Sequence, residues 1–366
     1  MKILLVSNMY PDSQNPNFGV FVKNTVIQLE ANQHEVHKAV MTKQKSFKNK
    51  LTGYLSHYIN VVKKGLCRKD DVIYAHYASL NALPLLMIKA VNKNKKIYIN
   101  VHGSDVTPQN KVQSAFQPLV SRLLQTSDKI ICPSAYYKLL IAGKYNLPEE
   151  KINVFPSGGI NSDVFFPEAD KERLFQTYQL SSKDKYIAYV GRIEYNKGWD
   201  TFLDTLYLLR QENFLQNKKV IVVGNGKQFE EYQNKVKASG LQDYIIQFDF
   251  LSQKELKDIF NIADVFCFPT KLYESLGLVG IEAMACGTPV IGSRRGGVLD
   301  FMEDAYNGFL FEPGNAIELK MRLEQFFFLP EAERKAYSRN SIATAARYDQ
   351  HSCREKLKKI FTDTRA

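Results

Sequence analysis

Short apolar runs recur along the whole chain, separated by longer stretches in which apolar and polar residues mix with helical spacing. KILLVS (2–7), HEVHKAVM, VIYAHY, KIYINV, KIIC and KINVF lead the first half, and YIAYV, VIVV, IIQF, VFCF and PVIGS the second. Runs this apolar read as strands buried on both faces, the mark of a parallel sheet covered by helices. Amphipathic stretches lie between them, including a helix from Gly19 to about Ala31 and another over 79–92. The fold class expected is therefore α/β, built from strand–helix–strand units. A chain of 366 residues exceeds one typical domain and fits two. The Pro/Gly/Asn/Asp-rich segment PSGGINSDVFFPE reads as the connection, dividing the chain into residues 1–160 and 161–348. No internal repeat or low-complexity tract interrupts this pattern.

The stretch from Lys271 to Gly297, KLYESLGLVGIEAMACGTPVIGSRRGG, departs from a simple core pattern. It predicts a loop, a helix opened by Gly277 and ended near Gly287, and a strand, following the buried strand that starts at Val265. Helix N-termini at the carboxyl ends of strands are where α/β sheets bind ligands. The amides of Ser275 to Val279 would be free donors for a phosphate, and Gly280, Ala283 and Ala285 leave room near Glu282. Glu274 and Glu282, eight residues apart, suit a ligand that joins an anion to a row of hydroxyls. A second cationic point lies at Gly191-Arg192-Ile193 and Lys197-Gly198, where a strand end meets a helix start. His102, in HGSD after the strand KIYINV, ends a strand where such sheets place functional side chains. The first βα loop holds only Gly19, not G-x-G-x-x-G, which argues against a dehydrogenase.

ESLGLVGIEAMACGTPVIGS with its Glu-x7-Glu, GRI…KG and HGSD together closely resemble the retaining, nucleotide-sugar-dependent glycosyltransferases of family 4. YP…NP.FG.FV in the first loop is similar to the branch that makes teichuronic-type and capsular polysaccharides. The resemblance spans nearly the whole chain and implies the GT-B architecture: two Rossmann-like domains facing each other across a cleft. The first would bind the acceptor and the second the donor, with a terminal helix (about 349–366) crossing back to the first. By the same resemblance Gly19, Arg192, Lys197, Gly277, Leu278 and Val279 would hold the donor diphosphate, and Glu282 the ribose. Asp249, Phe250 and Leu251 would border the nucleobase, His102 and Glu274 would be catalytic, and Asp105 and His76 would lie on the acceptor side. The resemblance implies a UDP- or GDP-sugar donor, no cofactor and no metal, and no Asp-x-Asp stands at a strand end to hold one. It also implies transfer to a growing, lipid-linked surface glycan. A nucleotide-sugar epimerase or phosphorylase on the same scaffold, or a silent sugar-nucleotide-binding subunit, are the alternative functions.

Charge adds one feature. The net +11 is carried wholly by residues 1–160, with 21 Lys and Arg against 9 Asp and Glu, a net of +12. Residues 43–69 hold eight of those cations and no acid. Within them Phe47, Leu51, Tyr54, Leu55, Tyr58, Ile59 and Val62 form an apolar stripe beside Lys48, Lys50, Lys63 and Lys64. Two readings stand: a helix packed inward with a solvated basic face, or one resting on an anionic membrane surface. They agree if the stripe packs inward while the lysines face lipid. No nucleic-acid-binding motif accompanies the charge. The five cysteines are scattered without a CxxC pair, and MKILLVSNMYP is too short in its apolar part for a signal peptide. A cytoplasmic protein, peripheral to the inner face of the membrane, is the expectation.

Overall fold

The computed structural model describes residues 1–16, 18–44 and 46–362, the side chains of Phe47 and Lys48 excepted. Lys45 and the last four residues of the expected terminal helix lie outside the described residues. The chain divides into two compact units, Met1–Gly159 with the stretch from His351 onward, and Ile160–Gln350.

Each unit is built on one six-stranded parallel sheet. The first contains β1 (Lys2–Ser7), β2 (Glu35–Val40), β3 (Val72–His76), β4 (Ile97–Asn100), β5 (Lys129–Cys132) and β6 (Ile152–Val154), in the order β2-β1-β3-β4-β5-β6. The second contains β7 (Lys185–Val190), β8 (Lys218–Val223), β9 (Ile245–Phe248), β10 (Val265–Phe268), β11 (Val290–Ser293) and β12 (Gly308–Phe311), in the order β12-β11-β10-β7-β8-β9. Along β1, Leu4 and Val6 enter one core while Ile3 and Leu5 enter another on the opposite face. In β7, Tyr186 and Ala188 alternate in the same way with Ile187 and Tyr189. Two covered faces are why these strands read as continuous apolar runs rather than as alternation. The two Rossmann-like α/β sheets are those expected from the sequence.

Each strand order reverses once, between β1 and β3 and between β7 and β10. At such a switch point the connecting helices leave on opposite faces, and a crevice opens at the carboxyl ends of the two strands. In the second unit this crevice lies between Val190 and Phe268, and in the first between Ser7 and His76.

The terminal helix, Gln350–Thr362, covers the first sheet: Cys353, Leu357, Ile360 and Phe361 share a core with Ile3, Leu5, Val72 and Tyr74. Lys129 Nζ donates to the Ile360 carbonyl at 2.7 Å, tying the helix end to β5.

The basic segment forms a helix, Phe47–Cys67, capped by the Ser46 side chain. Its apolar stripe is divided: Tyr54, Tyr58 and Val62 are half-buried, Val62 against the core of the first sheet, while Leu51, Leu55 and Ile59 are exposed. The buried face is His57, Val61 and Gly65, and a Cβ at Gly65 would meet Ile88 Cδ1 at 2.5 Å. The absent side chain lets this helix approach the neighbouring Ala78–Val91 helix, and His57 Nε2 is satisfied by Asn81 Oδ1 at 3.0 Å. Leu51, Leu55 and Ile59, one turn apart, are consequently left 69%, 62% and 60% exposed. Lys64, counted on the free basic face, donates instead to the Lys38 carbonyl at 2.7 Å.

Candidate active site

At the β7/β10 crevice the chain turns sharply twice. Gly198 caps the Trp199–Gln211 helix with φ +75°, and a Cβ there would lie 1.8 Å from the Pro269 carbonyl oxygen. Gly277 caps the Leu278–Ala285 helix at φ +95°, with Phe268 filling the space a side chain would need. Both positions demand glycine. The result is a cavity of about 210 Å³ lined by Gly191, Arg192, Lys197, Phe268 and Val279 among others. Two cations thus meet the first turn of a helix, whose opening amides lack acceptors within the helix.

Lys197 Nζ is paired with Glu274 Oε1 at 2.7 Å, and both side chains are half-buried. The same carboxylate oxygen accepts the Thr270 hydroxyl at 2.8 Å. Thr270 is fully buried and was not singled out in the sequence; nothing in its local pattern marks it. The loop behind Glu274 is held by the Arg295-Gly296-Gly297 turn. Gly297 N donates to the Glu274 carbonyl at 2.7 Å, and the Arg295 guanidinium lies 4.9 Å from the Tyr273 ring centroid. Arg192, at the rim of the same cavity, is largely exposed and pairs with Glu194 at 3.1 Å.

Glu282, one turn into the Leu278–Ala285 helix, has no hydrogen-bond or ion-pair partner among the described residues. Burial pushes its carboxyl up to about 7. An unpaired carboxylate in a desolvated place is costly unless a ligand supplies donors. Asp249, Phe250 and Leu251 follow β9 at the sheet's edge, two strands from β7, and Phe250 is 79% exposed.

In the first unit, Gly19 caps the Val20–Ala31 helix at φ +75°, where a Cβ would stand 2.7 Å from the Met9 carbonyl. His102 follows β4. Its ring lies 4.8 Å from that of Phe21 and 4.5 Å from that of Tyr77, and burial lowers its pKa to about 3. It is therefore a neutral imidazole. His76, at the end of β3, is fully buried and reaches His102 rather than a cavity, with Nδ1 3.0 Å from His102 Nε2. Asp105 is held by backbone amides. It is fully buried, and its carboxylate accepts the amides of His102 (3.0 Å), Gly103 (2.9 Å) and Ala78 (3.0 Å). It caps one helix and fixes the His102 loop.

Among the described residues, no group of three or more His, Cys, Asp or Glu side chains is placed to hold a metal ion. None of the described helices is long and apolar enough to cross a membrane.

The two units thus form a two-domain α/β scaffold, with a cation-lined crevice at one switch point and a histidine pair at the other. Residues 15–159 match the family described as "Glycosyltransferase Family 4" and residues 170–344 that described as "Glycosyl transferases group 1", so the chain carries both domains of a GT-B glycosyltransferase. An uncharacterized glycosyltransferase of Methanocaldococcus jannaschii is 26% identical over 99% of this chain and 98% of its own length. A second from that organism is 28% identical over 68% of this chain but 63% of its own length. The lipopolysaccharide 1,2-N-acetylglucosaminetransferase of Salmonella typhimurium is 28% identical over 71% of this chain and 64% of its own. Among solved structures, Anabaena HepE in complex with UDP-glucose has the same fold, with a TM-score of 0.76 at 18% identity, covering 99% of both chains.

Proposed function

We propose that this glycosyltransferase moves a sugar, with retention, from a nucleoside-diphosphate sugar to a growing surface glycan. The observation that carries the reading is the β7/β10 cavity, where Arg192, Lys197 and the first turn of the Leu278–Ala285 helix converge one turn from the unpaired Glu282. Breaking a glycosyl–phosphate bond leaves negative charge on the phosphate and positive charge on the anomeric carbon. Arg192, Lys197 and the amides at Gly277, Leu278 and Val279 oppose the first, with Gly19 offering a further helix start. Glu282 takes the ribose hydroxyls, and Asp249 to Leu251 border the base. Glu274 faces the sugar and His102 binds its hydroxyls as a neutral hydrogen-bonding group.

In the step proposed, the acceptor oxygen bonds to the anomeric carbon on the face the phosphate leaves. The carbon–phosphate oxygen bond breaks, and the acceptor's proton passes to the departing phosphate. The protein supplies no nucleophile; its part is charge and position. The bound UDP-glucose of the HepE neighbour supports a UDP-sugar donor, and the activity of the Salmonella relative supports an envelope glycan as acceptor. The exposed Leu51, Leu55 and Ile59 beside Lys50 and Lys63 support docking of the first unit on anionic lipid.

Thermal shift across UDP-, GDP-, ADP- and TDP-sugars tests the donor. A ligand at a hundred times its dissociation constant stabilises by about 2.7 kcal/mol. One base should stand out, and a flat panel would contradict the reading.

A further inference from the structure

The two histidines at the carboxyl ends of β3 and β4 form a contact that transfer chemistry alone does not require. Their rings are near parallel (21°) with centroids 5.1 Å apart, and they meet edge to edge through His76 Nδ1 and His102 Nε2 at 3.0 Å. A bond between two imidazole nitrogens holds one proton, so one ring is the donor and the other the acceptor. His76 is fully buried, and its Nε2 has no partner. If His76 were the acceptor, its own proton would sit on Nε2 as a buried N–H with nothing to receive it. A buried donor without an acceptor is the costlier and rarer orphan. His76 therefore carries its proton on Nδ1 and donates.

We infer that His76 is a positioning residue that locks His102 in the Nδ1–H tautomer, so that His102 meets its ligand as a hydrogen-bond donor and not as a base. With Nε2 of His102 occupied, the proton of the neutral ring resides on Nδ1. That atom has no protein partner among the described residues, and the ring is only half-buried. Phe21 and Tyr77 pack against the ring, while Asp105 fixes the backbone amide of His102, so the orientation as well as the tautomer is set. Desolvation lowers the pKa of both rings, which favours the neutral form of each. A locked donor selects an oxygen lone pair on the ligand, such as a sugar hydroxyl oxygen. It cannot accept a proton at that atom, which excludes His102 as general base there. The consequence for the ligand rests on the transfer reading above; the tautomer does not.

The test is long-range proton–nitrogen correlation spectroscopy of the full-length protein near neutral pH, on wild type, His76→Asn and His76→Phe. Asn presents an amide nitrogen where His76 has Nδ1; Phe presents no donor. Wild type and His76→Asn should show His102 protonated at Nδ1, and His76→Phe should move it toward Nε2–H. With the nucleotide sugar that gives the largest thermal shift, donor hydrolysis in His76→Phe should fall roughly tenfold to a hundredfold, the range for a partner that orients a functional histidine. KM should stay nearly unchanged, and His76→Asn should recover most of the rate. Nε2–H on His102 in the wild type would overturn the proposal, and so would a His76→Phe protein with unaltered tautomer and rate. The wild-type spectrum needs neither a variant nor a donor. A protein that turns over no nucleotide sugar would thus sink the transfer reading and leave the tautomer to be judged by itself.

Discussion

The pairing of Lys197 with Glu274 at 2.7 Å sets two residues with separate expected tasks against each other. A diphosphate arriving at Lys197 meets a carboxylate beside it, which attracts the sugar and repels the phosphate. Glu274→Gln should therefore tighten binding of the free nucleoside diphosphate about tenfold, the scale of removing a partly screened like charge. It should also slow turnover about a hundredfold, because a contact made in the transition state is lost. Calorimetry and initial rates read the two effects, and weaker nucleotide binding with intact turnover would contradict both roles. Glu282 predicts a pH dependence. Its carboxyl, raised to about 7, must be ionised to accept two ribose hydroxyls, so a proton competes with the nucleotide. Affinity should fall by up to about tenfold per unit below pH 7 and be flat in Glu282→Gln. Stability of the unliganded protein runs the other way. Because folding raises this pKa, the group's contribution is full below the ordinary carboxylate range and lost as pH rises through about 7. Most of these residues were legible, since Arg192, Lys197, Glu274, Glu282 and His102 stand in motifs with fixed spacing. Thr270 and the burial of Asp105 were not, because a side chain's partners depend on which loops the sheet brings together.

Among elements, the Phe47–Cys67 helix shows where periodicity runs out. Helical spacing marked an apolar stripe, but could not say that its Tyr54, Tyr58 and Val62 edge would be half-buried and its Leu51, Leu55 and Ile59 edge exposed. The inward face was decided by Gly65, which permits close approach, and by Asn81, which satisfies His57. The outward leucines make a direct prediction. Leu51→Gln, Leu55→Gln and Ile59→Gln together should abolish flotation with phosphatidylglycerol liposomes. Lys43, Lys45, Lys48 and Lys50 changed to Gln should weaken it and remove its salt dependence, since each lysine near an anionic surface adds about 1 kcal/mol. Equal binding to neutral lipid, or no change in either variant, would leave the helix as plain solvated surface. Gly198 is the counterpart at a turn. Its φ is positive, and the Pro269 carbonyl oxygen lies 1.8 Å from where an alanine methyl would stand. Gly198→Ala should therefore cost at least 1–3 kcal/mol, roughly, and be visible as a lowered Tm. An unchanged Tm would mean the turn relaxes freely.

For the whole molecule, the parallel sheets were readable because strands buried on both faces leave continuous apolar runs, and the helices between them left no other fold class. Strand order was not readable. The reversals between β1 and β3 and between β7 and β10 arise from long-range pairing, and they are what bring Arg192 and Val279 to one cavity. With the leaving-group charge assigned to Arg192, Lys197 and helix amides, turnover should survive EDTA; loss of activity restored by Mg²⁺ or Mn²⁺ would show that charge to be carried by a metal.

The most direct test is release of nucleoside diphosphate from the nucleotide sugar that binds best, comparing wild type with Lys197→Ala and Glu282→Ala after circular dichroism shows both folded. Each variant should lose about a hundredfold in rate, on the order of 3 kcal/mol of transition-state stabilisation. Near-wild-type release by both would place the donor somewhere other than the β7/β10 crevice and contradict the proposed function at its centre.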